Sequence, residues 1–124
     1  MNKHTVQLTA SAAVVIALPL AGLAIGPAWA EPTGASCTPS QVVVFTEAPR
    51  LQVRCDEANG GGVIYFALST NDAAQAGRVL SVIQTALVAG RTLIVSYEPN
   101  DLSGAAIGCQ SKDCRLIRSI GFGK

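Results

Sequence analysis

The stretch Val63–Tyr97, VIYFALSTNDAAQAGRVLSVIQTALVAGRTLIVSY, changes its hydrophobic period twice and so decides the fold. Val63 to Leu68 is apolar, β-branched and aromatic, the composition of a strand packed on a core. From Ser69 the period lengthens. Ala76, Val79, Leu80, Ile83 and Leu87 recur at helical spacing, while Gln75, Arg78 and Gln84 lie elsewhere on the wheel. Ser69 or Thr70 is the expected cap, with Asp72 early in the first turn, where the helix dipole favours a negative charge. Gly90 is the expected stop. Thr92 to Glu98 then alternates as a strand, with Leu93, Val95 and Tyr97 on one face and Thr92, Ile94 and Ser96 on the other.

Upstream, Gln41 to Thr46 holds the run Val42, Val43, Val44 and Phe45, which reads as a buried strand ending before Ala48 and Pro49. Leu51, Val53 and Cys55 alternate with Gln52 and Arg54, the pattern of a half-buried strand. Asn59 to Gly62 (NGGG) is a turn that returns this strand to Val63. Downstream, Pro99, Asn100 and Asp101 turn the chain, and Ala105 to Cys109 is short and apolar, with room for an extra short strand. Arg115 to Phe122 is a last strand. Glu31 to Ser36 reads as a loose polar arm. The order β-β-β-α-β-β, with a helix between the third and fourth strands, is that of a small OB-fold-like barrel. The alternative is an α+β sheet with one helix packed on a face.

The first thirty residues read as a cleavable signal peptide. Lys3 supplies the positive end, Ala12 to Gly26 is an apolar run short for a membrane span, and Pro27 breaks it. Ala28 and Ala30 are the small residues a leader peptidase needs. The expectation is a leader over 1–30, a single exported domain over 31–124, secreted or periplasmic, and no membrane span after cleavage. Removing the leader removes the only histidine, His4, and the only tryptophan, Trp29. With Lys3 gone, the nine Lys and Arg fall to eight against eight Asp and Glu, so the mature charge is near zero. A balance of that kind excludes a nucleic-acid binder that works by neutralising phosphates.

A domain of this size buries only about 60–65% of its unfolded surface, and covalent staples compensate. The chain's four cysteines, Cys37, Cys55, Cys109 and Cys114, allow three connectivities. Locality in sequence favours Cys37 with Cys55 and Cys109 with Cys114, in keeping with an oxidising compartment. There is no C-x-x-C pair, which disfavours a zinc site, so neither metal nor cofactor is expected. Without a mature histidine there is no Ser-His or Cys-His nucleophile and no imidazole base. Glu47, Asp56, Glu57, Glu98 and Asp101 leave only a carboxylate hydrolase as a minor enzymatic reading. The glycines at 60–62 lack the lysine of a phosphate-binding loop. The expectation is therefore a non-enzyme. Ser36, Thr38 and Ser40 around the first cysteine are candidate polar contacts for a ligand, and Tyr65 and Tyr97 are the aromatic residues expected to be partly exposed.

The run Cys55–Ser69, CDEANGGGVIYFALS, leading into a helix, resembles the OB-fold B subunits of pentameric bacterial toxins, the subtilase-cytotoxin and pertussis-type branches above all. The passage Ala89–Ser96, AGRTLIVS, resembles their helix, glycine and strand, and Cys109-x4-Cys114 resembles a C-terminal cysteine pair in that group. The similarity covers roughly Cys55 to Cys114. It implies an exported module that binds a glycan or cell-surface receptor and assembles as a homopentamer with an exported A subunit. The sugar-contacting residues of those toxins have no assignable counterparts here, and none is carried over. Arg115 to Phe122 extends beyond the point where a subtilase-type chain nearly ends. The reading from a different class is a monomeric periplasmic structural or inhibitor-like protein that contacts another protein through a sheet edge.

Overall fold

The computed structural model describes residues 32–124. The signal-peptide reading of 1–30 therefore lies outside the described residues. Six strands and one helix follow in the order β1 (Thr33–Cys37), β2 (Pro39–Val44), β3 (Arg50–Cys55), β4 (Tyr65–Ser69), α1 (Ala73–Ala89), β5 (Leu93–Tyr97) and β6 (Cys114–Gly121). They form one sheet in the order β1-β5-β6-β4-β3-β2, antiparallel except for the parallel pair β4 and β6. The strands at the two edges, β1 and β2, are consecutive in the chain and separated only by Thr38. A sheet whose opposite edges are joined by one residue has to curl. Taking β1 and β2 as one bent strand gives the OB-fold-like order, with the hydrogen-bond ladder left open at the bend.

The inward face carries the core. On β3, Leu51, Val53 and Cys55 are buried and Arg54 is exposed, as the alternation predicts. On β5 the buried residues are Leu93, Val95 and Tyr97. Phe66 on β4, Ile117 on β6, and Ala35 and Cys37 on β1 complete the sheet's share. Helix α1 lays Ala76, Ile83 and Ala86 onto this core, with Val79, Leu80 and Val82 partly buried beside them. The helix ends where expected, at Gly90, whose φ of 64° is the left-handed geometry that glycine adopts without a Cβ clash.

Four local expectations are corrected. The run Val42 to Val44, read as a buried strand, lies in the edge strand β2, with Val42 and Val43 only partly buried and Val44 exposed. The arm before Cys37 is strand β1, paired from Thr33 opposite Tyr97 to Cys37 opposite Leu93. Its inward residues are the small Ala35 and Cys37, so no apolar alternation marks it. The helix cap is Asp72, whose carboxylate accepts from the Gln75 amide at 3.0 Å; Ser69 instead accepts from the Asn71 amide in the turn before it. The apolar stretch 105–109 adds no strand. Ser103–Ile107 is a 3₁₀ helix, and the buried Gly104 packs closely on Cys109 and Leu116, where a Cβ would sit 3.0–3.1 Å from their side chains.

Both disulfides have the favoured pairing. Cys37–Cys55 spans 5.0 Å between Cα atoms and ties the end of β1 to the end of β3 across the bend. Closing a loop of this 18-residue separation stabilises the fold by about 3 kcal/mol through the entropy of the unfolded chain. Cys109–Cys114 closes the tip of the connection from β5 to β6 and buries both sulfurs against Ala67 and Tyr65. Two disulfides fit an extracellular or periplasmic setting. No helix among the described residues is long and apolar enough to cross a membrane.

Candidate functional site

The Cys37–Cys55 bridge determines where the polar candidates meet. Ser36 and Thr38 flank one sulfur-bearing residue and Asp56 and Glu57 follow the other, so the disulfide draws all four to one place. They line a cleft of about 250 Å³ at the bend between β1 and β2. The Asp56 amide donates to the Thr38 carbonyl at 2.8 Å, fixing the two sides against each other. The Thr38 hydroxyl shares a 3.0 Å hydrogen bond with that of Thr92, just ahead of β5. All four lining residues are exposed, and both salt bridges among the described residues belong to Arg118, so neither Asp56 nor Glu57 is spent on an ion pair there. The lining therefore combines carboxylates that accept hydrogen bonds with hydroxyls that donate or accept them, and holds no cation.

The other sequence candidates separate. Ser40 is exposed on β2 outside this lining, and its hydroxyl donates to the Arg54 carbonyl at 3.2 Å across to β3. Tyr97 is only 4% exposed, and its ring centre lies 5.1 Å from that of Phe66 in a tilted pair. The expectation of a partly exposed Tyr97 is thus corrected: it shares the inward face of β5 with Leu93 and Val95 and is a core residue. Tyr65 is half-buried, as expected, but stands at a different cleft.

That second cleft, of about 220 Å³, lies between the outer faces of β3 and β4 and the disulfide-closed tip Gly108–Cys114. Arg50, Gln52 and Tyr65 line one side and Gln110, Lys112 and Asp113 the other. The Arg50 guanidinium is held on both flanks. Its Nη1 donates to the Ile107 carbonyl at 2.7 Å, and its carbon sits 3.8 Å from the centre of the Phe45 ring. Sequence reasoning missed this site because its residues come from three segments, and the disulfide-closed tip lies more than forty positions from the two strands it faces. The legible signals were the polar tip between two cysteines and the outward set Arg50, Gln52 and Arg54.

A third polar cluster ties the β5–β6 connection to β6. Arg118 Nη2 reaches Asp101 at 3.2 Å and Glu98 at 3.4 Å, and the Ser103 amide donates to Asp101 at 3.0 Å. The Ser103 hydroxyl and amide, with Arg118 and Arg115 adding charge, hold the Asp101 carboxyl below its ordinary range. Two of the five candidate acids are thereby committed to holding the connection in place.

The fold and its clefts define a class, a disulfide-stapled OB-type domain with polar recesses on its outer surface. Set against protein-family models, curated proteins and solved structures, the chain matches none of them.

Proposed function

We propose that this protein is an exported, non-enzymatic binding module that takes an uncharged glycan in the cleft at the β1–β2 bend. The observation that carries the reading is the cleft's lining, two hydroxyls and two carboxylates free of ion pairs among the described residues, joined by a disulfide. Sugar hydroxyls are good donors to carboxylates, and charge-assisted hydrogen bonds of that kind are the strong ones. An anionic sugar is disfavoured at the same place by Asp56 and Glu57. The leader at 1–30 accounts for export and the two disulfides for persistence in an oxidising space.

In keeping with its likeness to toxin B subunits, the module works as a homopentamer with an exported A subunit. The outer edges of β1 and β2 have no partner strand among the described residues, and Val44, Val88 and Ile94 are large apolar side chains exposed to solvent. Surface of this kind is what assembly would cover. Light scattering on the oxidised protein tests this: a mass of five chains agrees, and a stable monomer would remove the ring. Binding is tested on a glycan array with wild type and Asp56→Asn/Glu57→Gln. Saturable binding lost in the variant supports the site, and an array with no binder refutes it.

A further inference from the structure

The cleft at Arg50 differs in chemistry from the one at the bend, and goes beyond the function just proposed. Here we propose a second binding site, for a tetrahedral oxyanion carried as a sulfate or phosphate monoester.

Arg50 is half-buried, yet it has no carboxylate partner among the described residues, where both salt bridges are made by Arg118. Its Nε is buried with no hydrogen-bond partner. Nη1 donates to the Ile107 carbonyl, and Nη2 donates to no described residue. Partial burial of a guanidinium is costly unless something of opposite charge stands beside it. The group is also pre-organised. Phe45 backs it, the Ile107 carbonyl fixes its rotation, and Gly108 makes room for it, since a Cβ there would fall 1.7 Å from Nη1.

The surroundings supply further donors from two walls. Gln52 projects from β3, while Gln110 and Lys112 project from the disulfide-closed tip. A planar carboxylate presents two oxygens in one plane. A sulfate or phosphate monoester presents three terminal oxygens in different directions, which suits donors converging from opposite sides. Asp113 is the one acid in the lining, so with Arg50 and Lys112 the cleft carries a net single positive charge. That charge matches a singly charged sulfate ester more closely than a phosphate dianion.

The probes are glucose 6-sulfate, glucose 6-phosphate, glucuronate and glucose, titrated into the oxidised protein and followed by amide chemical shifts. The expected result is saturable binding of an ester, weakened by salt, with shifts at Gln52, Gln110 and Lys112 and none at Ser36 or Thr38. Which ester binds better tells the two sources apart. Lys112 is exposed, so Lys112→Glu preserves the fold and weakens binding at least about ten-fold, the equivalent of one charge-assisted hydrogen bond. Asp113→Asn tightens it. Binding of glucuronate as tight as either ester, no saturable binding of either, or indifference to Lys112→Glu overturns the proposal. None of these outcomes bears on the uncharged-glycan cleft, which responds to Asp56 and Glu57.

Discussion

Replacing Gly108 with alanine strikes the contact that joins the start of β3 to the β5–β6 connection. Two costs arise. Gly108 has φ +90°, and placing a Cβ in the left-handed region costs about 1–2 kcal/mol. The new methyl also lies 1.7 Å from Arg50 Nη1, so the guanidinium must swing away and release the Ile107 carbonyl. A hydrogen bond from a charged donor contributes about 1.5–3 kcal/mol, giving Gly108→Ala a total loss of about 2.5–5 kcal/mol. Arg50→Met removes the same bond while keeping an apolar stem on Phe45, and costs about 1.5–3 kcal/mol. The double variant can lose that bond only once, so it should fall short of the summed losses by at least about 1.5 kcal/mol. Urea unfolding of the oxidised proteins, followed by far-UV circular dichroism, measures all three. Losses that add to within about 0.5 kcal/mol would show that Gly108 and Arg50 act independently and would refute the reasoning.

Asp72→Ala removes the carboxylate that caps α1 and should cost about 1 kcal/mol in the same unfolding assay, with Ser69→Ala near neutral. Phe66→Ala empties the most voluminous fully buried position and should cost about 3–5 kcal/mol, with loss of its contact to Tyr97. Asp101 should titrate below its ordinary value of 3.8 when followed by carboxyl NMR, and Ser103→Ala should move it upward by more than Arg118→Gln does. Because its folded value is the lower one, the stability Asp101 contributes is complete above the ordinary value and disappears as pH falls through the folded value. Ser103→Ala should therefore raise the midpoint of acid unfolding.

Wherever an element's face was apolar and periodic, the sequence placed it. The alternation of Leu51, Val53 and Cys55 and the helical recurrence of Ala76, Val79 and Ile83 reappear in the structure, as does the β-β-β-α-β-β order once β1 and β2 are taken as one bent strand. Strand β1 escaped because Ala35 and Cys37, its inward residues, are too small to make a hydrophobic pattern. Its stability comes from pairing with β5 and from the disulfide. Ala105 to Cys109 misled in the opposite sense: an apolar composition, but glycines at 104 and 108 that favour a tight turn over an extended chain. Tyr97 was misjudged by residue type, though its register with Leu93 and Val95 already pointed inward. Of the polar candidates, Ser36 and Thr38 were legible as neighbours of a cysteine. Their meeting with Asp56 and Glu57 follows from the Cys37–Cys55 bridge, which locality already favoured, but the cleft also needs the bend between β1 and β2, which no local pattern marks.

Binding of an uncharged glycan at the β1–β2 bend is tested most directly by a map of amide shifts on adding an array-selected uncharged oligosaccharide. Shifts centred on Ser36, Thr38, Asp56 and Glu57, abolished by Asp56→Asn/Glu57→Gln with the rest of the spectrum unchanged, are the predicted result. Shifts centred elsewhere, or persisting at full amplitude in that variant, would contradict it.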